Sequence, residues 1–112
     1  MKVTIKDFDD IAVVEVEGNI DSKTAPEFER STKVATDKSN AIAIDLTAVE
    51  FMSSAGLRVL LMLYRNVKAK NGKVVLVGVS EEIQDVMSMT GFINFFKIVE
   101  KQEEGLSFLK QD

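Results

Sequence analysis

The 112 residues contain no histidine and no cysteine. The missing imidazole excludes a Ser–His triad, a His-ligated zinc site and a His general base. The missing thiol excludes disulfides, thiol catalysis and every metal site built on cysteine. A phosphate-cradling Gly-x-x-x-x-Gly-Lys loop is absent, and so is a Gly-x-Ser-x-Gly nucleophile elbow. No enzyme activity, cofactor or metal is therefore expected. No apolar run approaches the ~20 residues that a membrane helix needs. Met1-Lys2-Val3-Thr4-Ile5-Lys6 alternates like a strand and lacks a signal peptide's long apolar core, so the expected location is cytoplasmic, with no membrane partner. The chain has 14 basic and 18 acidic residues, a net charge of −4 and a pI near 4.9. That balance argues against nonspecific binding to nucleic acid.

What is present is the composition of a globular protein, 46% hydrophobic and 29% charged. A chain of this length buries roughly 65% of the surface it exposes when unfolded, so it needs no staple. One domain spanning residues 1–112 is expected, without repeat, linker or low-complexity tract.

Val3 and Ile5 alternate with Lys2, Thr4 and Lys6 in a first short strand. Asp7-Phe8-Asp9-Asp10 supplies a turn, and Ile11–Glu17 a second strand hairpinned to the first. Thr24-Ala25-Pro26-Glu27 has the form of a capping box opening a helix over about Ala25–Asp37. Ala41–Leu46 and Lys73–Gly78 are short and mostly apolar, as buried strands are. Between them Leu57, Leu60, Leu61, Tyr64 and Val67 recur at helical spacing, with Asn71-Gly72 as the stop. Ser80 opens a third helix with Ile83, Val86 and Met87 inward, ended by Gly91. A fifth strand at Phe95–Val99 and a helix at about Glu103–Lys110 complete the order ββαβαβαβα. This predicts a mixed five-stranded sheet, an antiparallel hairpin followed by parallel strands with right-handed crossovers.

The candidate chemistry lies at Ser53-Ser54-Ala55-Gly56, where a helix begins after a strand and a short loop. Ser54 reads as a phosphoacceptor, or one of the two serines as a plain N-cap. Gly56 in the first turn costs up to roughly 1 kcal/mol relative to alanine, which suggests a close backbone approach there. Asp21 and Ser22 form a second polar cluster, and parallel strands would bring Asp21 toward the Ser53–Ser54 loop. Met87, Met89, Phe92 and Phe95 are core candidates, and an exposed Met89 or Phe92 would mark a docking patch.

Several stretches occur together in the order of a known family: Gly18-Asn19-Ile20-Asp21, Ala25-Pro26, Asp45 through Leu57, and Thr90-Gly91-Phe92. The chain resembles the bacterial anti-sigma factor antagonists, single-domain members of the STAS superfamily. The resemblance implies a sequentially ordered sheet with helices wound as a right-handed βα superhelix. It implies binding to an anti-sigma factor that is an ATP-dependent serine kinase, and release of a sigma factor. It places the phosphoacceptor at Ser54 and an acidic neighbour at Asp21, with a dedicated serine phosphatase to reverse the modification. The implied partner face comprises Asp21, Ser22, Ser53, Ser54, Gly56 and Arg58. Many members carry aspartate where this chain has Ser53, which leaves Ser53 as a competing acceptor. The alternative is a non-phosphorylated docking or regulatory subunit of a larger assembly, such as a transporter complex.

Overall fold

The computed structural model describes residues 1–111. Five strands run β1 Lys2–Phe8, β2 Ile11–Glu17, β3 Ala41–Ala48, β4 Lys73–Val77 and β5 Lys97–Val99. Four helices alternate with them: α1 Ala25–Lys38, α2 Ser54–Ala69, α3 Glu81–Thr90 and α4 Gln102–Lys110. The sheet order is β1-β2-β3-β4-β5, with β1 antiparallel to β2 and every other pair parallel. The expected mixed sheet and element order are both found.

Period-two alternation sorts the side chains onto two faces. Val14, Val16, Ile42, Ile44, Leu46, Val74 and Leu76 pack with Phe28 of α1, Leu57, Leu60, Leu63 and Val67 of α2, and Ile83 and Met87 of α3. The other face carries Ile11, Val13, Ala43 and Val75, and among the described residues α4 is the helix that covers it, through Leu109 and its neighbours. Each crossover steps one strand in the same direction with its helix on the same face, which winds the chain into a superhelix of one hand. At the start of α4 the second face turns polar. Gln102 Nε2 donates to Glu15 Oε2 (2.8 Å) and Asp45 Oδ2 (2.7 Å), and Lys6 pairs with Glu15 at 3.2 Å.

Several boundaries differ from the sequence expectation. β1 continues through Asp7 and Phe8 because Phe8 pairs with Ile11, leaving a two-residue turn at Asp9-Asp10. Asp9 makes that turn at φ 57, a left-handed geometry that aspartate tolerates. β5 starts at Lys97, since Phe92–Phe95 forms a 3-10 turn after Gly91 ends α3 at φ 79. Tyr64 meets the rings of Phe95 and Phe96 at 5.4 and 5.5 Å, so the aromatic segment packs on α2 instead of extending the sheet. On α2, Val59 and Leu63 are buried while Leu61 and Tyr64 are only partly so, because the helix turns its 56/59/60/63/67 stripe to the sheet. Val86 of α3, expected inward, is 37% exposed.

Candidate functional site

The parallel register aligns the C-terminal ends of β2, β3 and β4 on one rim. At that rim β3 carries an irregularity: Glu15 pairs with Asp45 but Glu17 with Ala48. Asp45 Oδ1 stabilises the extra residue by accepting from the Thr47 N–H (2.9 Å) and hydroxyl (2.6 Å). Beyond it the loops after β2 and β3 are laced together. Gly18 N–H donates to Ala48 O at 3.1 Å, Ile20 N–H to Phe51 O at 3.1 Å, and Ser53 N–H to Ile20 O at 2.8 Å. Ile20 and Met52 form an isolated parallel bridge, and both side chains are buried beneath it.

Gly56 explains why α2 starts where it does. A Cβ at this position would lie 2.5 Å from Met52 Cγ and 2.8 Å from Ile20 Cγ2. The close approach expected of this glycine is thus made to the Ile20–Met52 bridge. Gly56 itself is buried, so what it provides at this rim is the position of the helix and not exposed surface.

The two serines have different surroundings. Ser53 takes the N-cap position of α2 with extended backbone (φ −79, ψ 175), yet its hydroxyl makes no capping bond. Its Oγ is buried and, among the described residues, has no hydrogen-bond partner. Ser54 is the first residue of the helix and is exposed. Arg58, one turn on, is exposed as well. Among the described residues, the first turn of α2 holds no acidic side chain, whereas α1 has Glu27, α3 has Glu81 and Glu82, and α4 has Glu103 and Glu104. The free N–H groups and positive end of the α2 dipole therefore meet no carboxylate of their own helix.

Asp21 sits directly after the bridge, joined to the Ser53 backbone through Ile20. Its Oδ1 accepts from Lys23 N–H (2.9 Å) and Thr24 N–H (3.0 Å). Thr24 does not form the expected capping box with Glu27. Its Oγ1 accepts instead from Asp21 N–H at 2.9 Å and lies 3.1 Å from Asn19 O, so the aspartate and the threonine close the turn reciprocally. The Thr24 backbone N–H, then that of Lys23, hold the Asp21 carboxyl below its ordinary value of 3.8. Ser22 is exposed on the same turn.

Two residues of the rim escaped sequence reasoning. Phe51 is 48% exposed, and Asn19 Oδ1 accepts from its N–H at 3.2 Å. Phe51 lies between buried Val49 and Met52, a spacing that is neither strand-like nor helical and so carried no signal. Farther along, Met89 is 86% and Phe95 46% exposed, while Phe92 is partly buried. Met89 thus has the exposure that a docking patch would need, against its reading as a core residue, whereas Phe92 does not. Among the described residues no group of three or more acidic, histidine or cysteine side chains could hold a metal ion, and no helix is long and apolar enough to cross a membrane.

The model of the STAS domain family matches residues 2–105. The chain belongs to that family. This STAS domain is 30% identical over 106 residues to the anti-sigma-B factor antagonist of Listeria monocytogenes, covering 94% of this chain and 90% of that protein. The crystal structure of an anti-sigma factor antagonist from Mycobacterium paratuberculosis superposes with a TM-score of 0.87 at 30% identity, covering 98% and 94% of the two chains. The Bacillus cell fate determinant SpoIIAA in its phosphorylated form shares the fold, with a TM-score of 0.78 at 17% identity over 97% and 100% of the chains.

Three outcomes follow from the geometry of this STAS domain. Gly56→Ala is expected to cost about 1–3 kcal/mol through overpacking against Met52 and Ile20, read as an earlier denaturant midpoint. Ser53→Ala removes a hydroxyl without a bond, so stability should hold or rise by up to about 1 kcal/mol; a clear loss would mean the hydroxyl is bonded in solution. Asp21 is favoured ionised in the fold, so its contribution is complete above the unfolded value of 3.8 and is lost as pH falls through the lower folded-state value. Asp21→Asn keeps the acceptor but cannot titrate. Its melting temperature should therefore fall less than the wild type's between about pH 4 and about pH 2.

Proposed function

We propose that this STAS domain is an anti-sigma factor antagonist whose unmodified form binds an anti-sigma factor with serine kinase activity. It thereby frees a sigma factor in the bacterial cytoplasm. Phosphorylation of Ser54 turns the binding off, and a serine phosphatase restores it. The observation that carries this reading is the contrast at the start of α2: the Ser54 side chain stands exposed at the first helical position while the Ser53 Oγ is buried. The names of the Listeria and Mycobacterium proteins support the antagonist role, and the phosphorylated state of SpoIIAA supports the modification. The partner face is Asp21, Ser22, Ser54 and Arg58, with Ser53 as the less accessible candidate acceptor.

The chemistry required of this chain is slight. The Ser54 oxygen attacks the γ-phosphorus of the kinase's ATP, the bond to the β-phosphate oxygen breaks to release ADP, and the hydroxyl proton passes to a base of the kinase or to water. The product carries about −1.5 to −2 charge. At a helix N-terminus that charge is tolerated by the dipole and the free N–H groups, so α2 stays folded. The effect falls on the partner. A dianion ~6 Å from a partner carboxylate costs about 1.5 to 5 kcal/mol for effective dielectrics between bulk water and ~20. Each 1.4 kcal/mol is about tenfold in affinity, so one phosphate weakens the complex by about one to three decades.

The test is calorimetric titration of the purified kinase-fold anti-sigma factors of the source bacterium with four forms of the domain. Wild type and Ser54→Ala should bind, whereas Ser54→Asp and phospho-Ser54 should bind at least about tenfold more weakly. Equal affinity across all forms would refute the switch. The exposed Met89 favours the second reading, a docking subunit without phosphorylation. Phosphate uptake at Ser54 by mass spectrometry separates the two.

A further inference from the structure

We infer that Phe51 is the apolar anchor of the partner face, the ring that an anti-sigma kinase covers when it reaches Ser54. This rests on the reading of Ser54 as the acceptor. The ring is 48% exposed between two buried neighbours, Val49 and Met52. Its exposure is imposed by the fold. Phe51 N–H donates to Asn19 Oδ1 at 3.2 Å, Phe51 O accepts from Ile20 N–H at 3.1 Å, and Glu50 O accepts from Ser80 Oγ at 3.2 Å. The loop is thus tied to the segment after β2 and to the N-cap of α3, and the main chain cannot rotate to bury the ring without breaking these bonds.

The occupant follows from position. Phe51 stands three residues before Ser54, and Asn19, which holds it, stands two residues before Asp21. A protein that places an ATP γ-phosphate at Ser54 covers this rim. The same segments carry Lys23, Glu50 and Arg58, all exposed, and the partly buried Asp21, so this apolar ring is presented among charged residues of both signs. A half-exposed aromatic on a locked backbone loses little freedom when covered, and such rings recur among the residues that dominate interfaces. The ring carries no charge, so its contribution does not depend on screening, unlike those of Asp21 and Arg58. Nor does it touch the reacting atoms; it adds affinity equally before and during phosphoryl transfer.

The test uses the intact domain with purified kinase-fold anti-sigma factors of the source bacterium and ATP. Phe51→Ala should raise both Kd and the KM for phosphorylation by about 10- to 100-fold while leaving kcat at Ser54 unchanged. The loss should be the same at low and high salt, and Phe51→Leu should recover part of the affinity. The melting curve of Phe51→Ala should match wild type, because the ring is largely outside the core; should it not, Phe51→Leu alone carries the comparison and must still bind more weakly than wild type. Binding within about threefold of wild type by a folded Phe51→Ala overturns the anchor while leaving the Ser54 reading intact. A wild-type domain that binds none of these factors overturns the Ser54 reading itself.

Discussion

One parallel bridge, Ile20 to Met52, holds the rim of the molecule together. It lies past the ends of the regular strands, where two loops would otherwise leave the sheet independently. Its hydrogen bonds run Ile20 N–H to Phe51 O and Ser53 N–H to Ile20 O, so a single residue is clamped on both sides by the neighbouring chain. Because Ile20 and Met52 are buried, shifting the bridge would open the core beneath it. The start of α2 is seated on this bridge through Gly56, where no Cβ fits. The Asp21–Thr24 turn begins on its other side.

From that constraint follows the difference between two adjacent serines. Ser53 donates its N–H to the bridge, and its side chain is held against the protein. Ser54 is the next residue, already in the helix, with its side chain turned to solvent. A rigid backbone therefore presents a hydroxyl next to unneutralised helix N–H groups, where added negative charge does not melt the helix. Under the proposed phosphorylation of Ser54, the domain would change its surface charge and not its shape.

Much of this was legible in the chain, for identifiable reasons. Val3/Ile5 against Lys2/Thr4/Lys6 announced a strand with one buried face, and Ala41–Leu46 a central strand covered on at least one side; the fold makes the first an edge strand and buries Ile42, Ala43 and Ile44 completely. Ser80 accepts from Ile83 N–H at 3.2 Å, and Gly91 ends α3 in the left-handed region, as their residue types imply. Phe92-Ile93-Asn94-Phe95 was harder, since a cluster of aromatics reads equally as a strand or as a turn packed on a neighbour; Tyr64, nearly 30 residues earlier, decided it. Thr24 was read locally as a cap for Glu27, but the Asp21 backbone N–H took its oxygen. Phe51 gave no periodic signal because its exposure depends on Asn19 and Ser80, from two other segments.

Local pattern in the sequence, alternation and helical spacing with a few turn residues, determined the elements, their order and the sheet's parallel character, because these depend on neighbours within a few residues. The absence of histidine and cysteine narrowed the chemistry by composition alone. Only the tertiary structure decided which serine is exposed, what Gly56 is pressed against, and which way Phe51 faces. Each of these depends on the segment about 30 residues earlier that the Ile20–Met52 bridge brings alongside, and no local pattern encodes a distance of that kind.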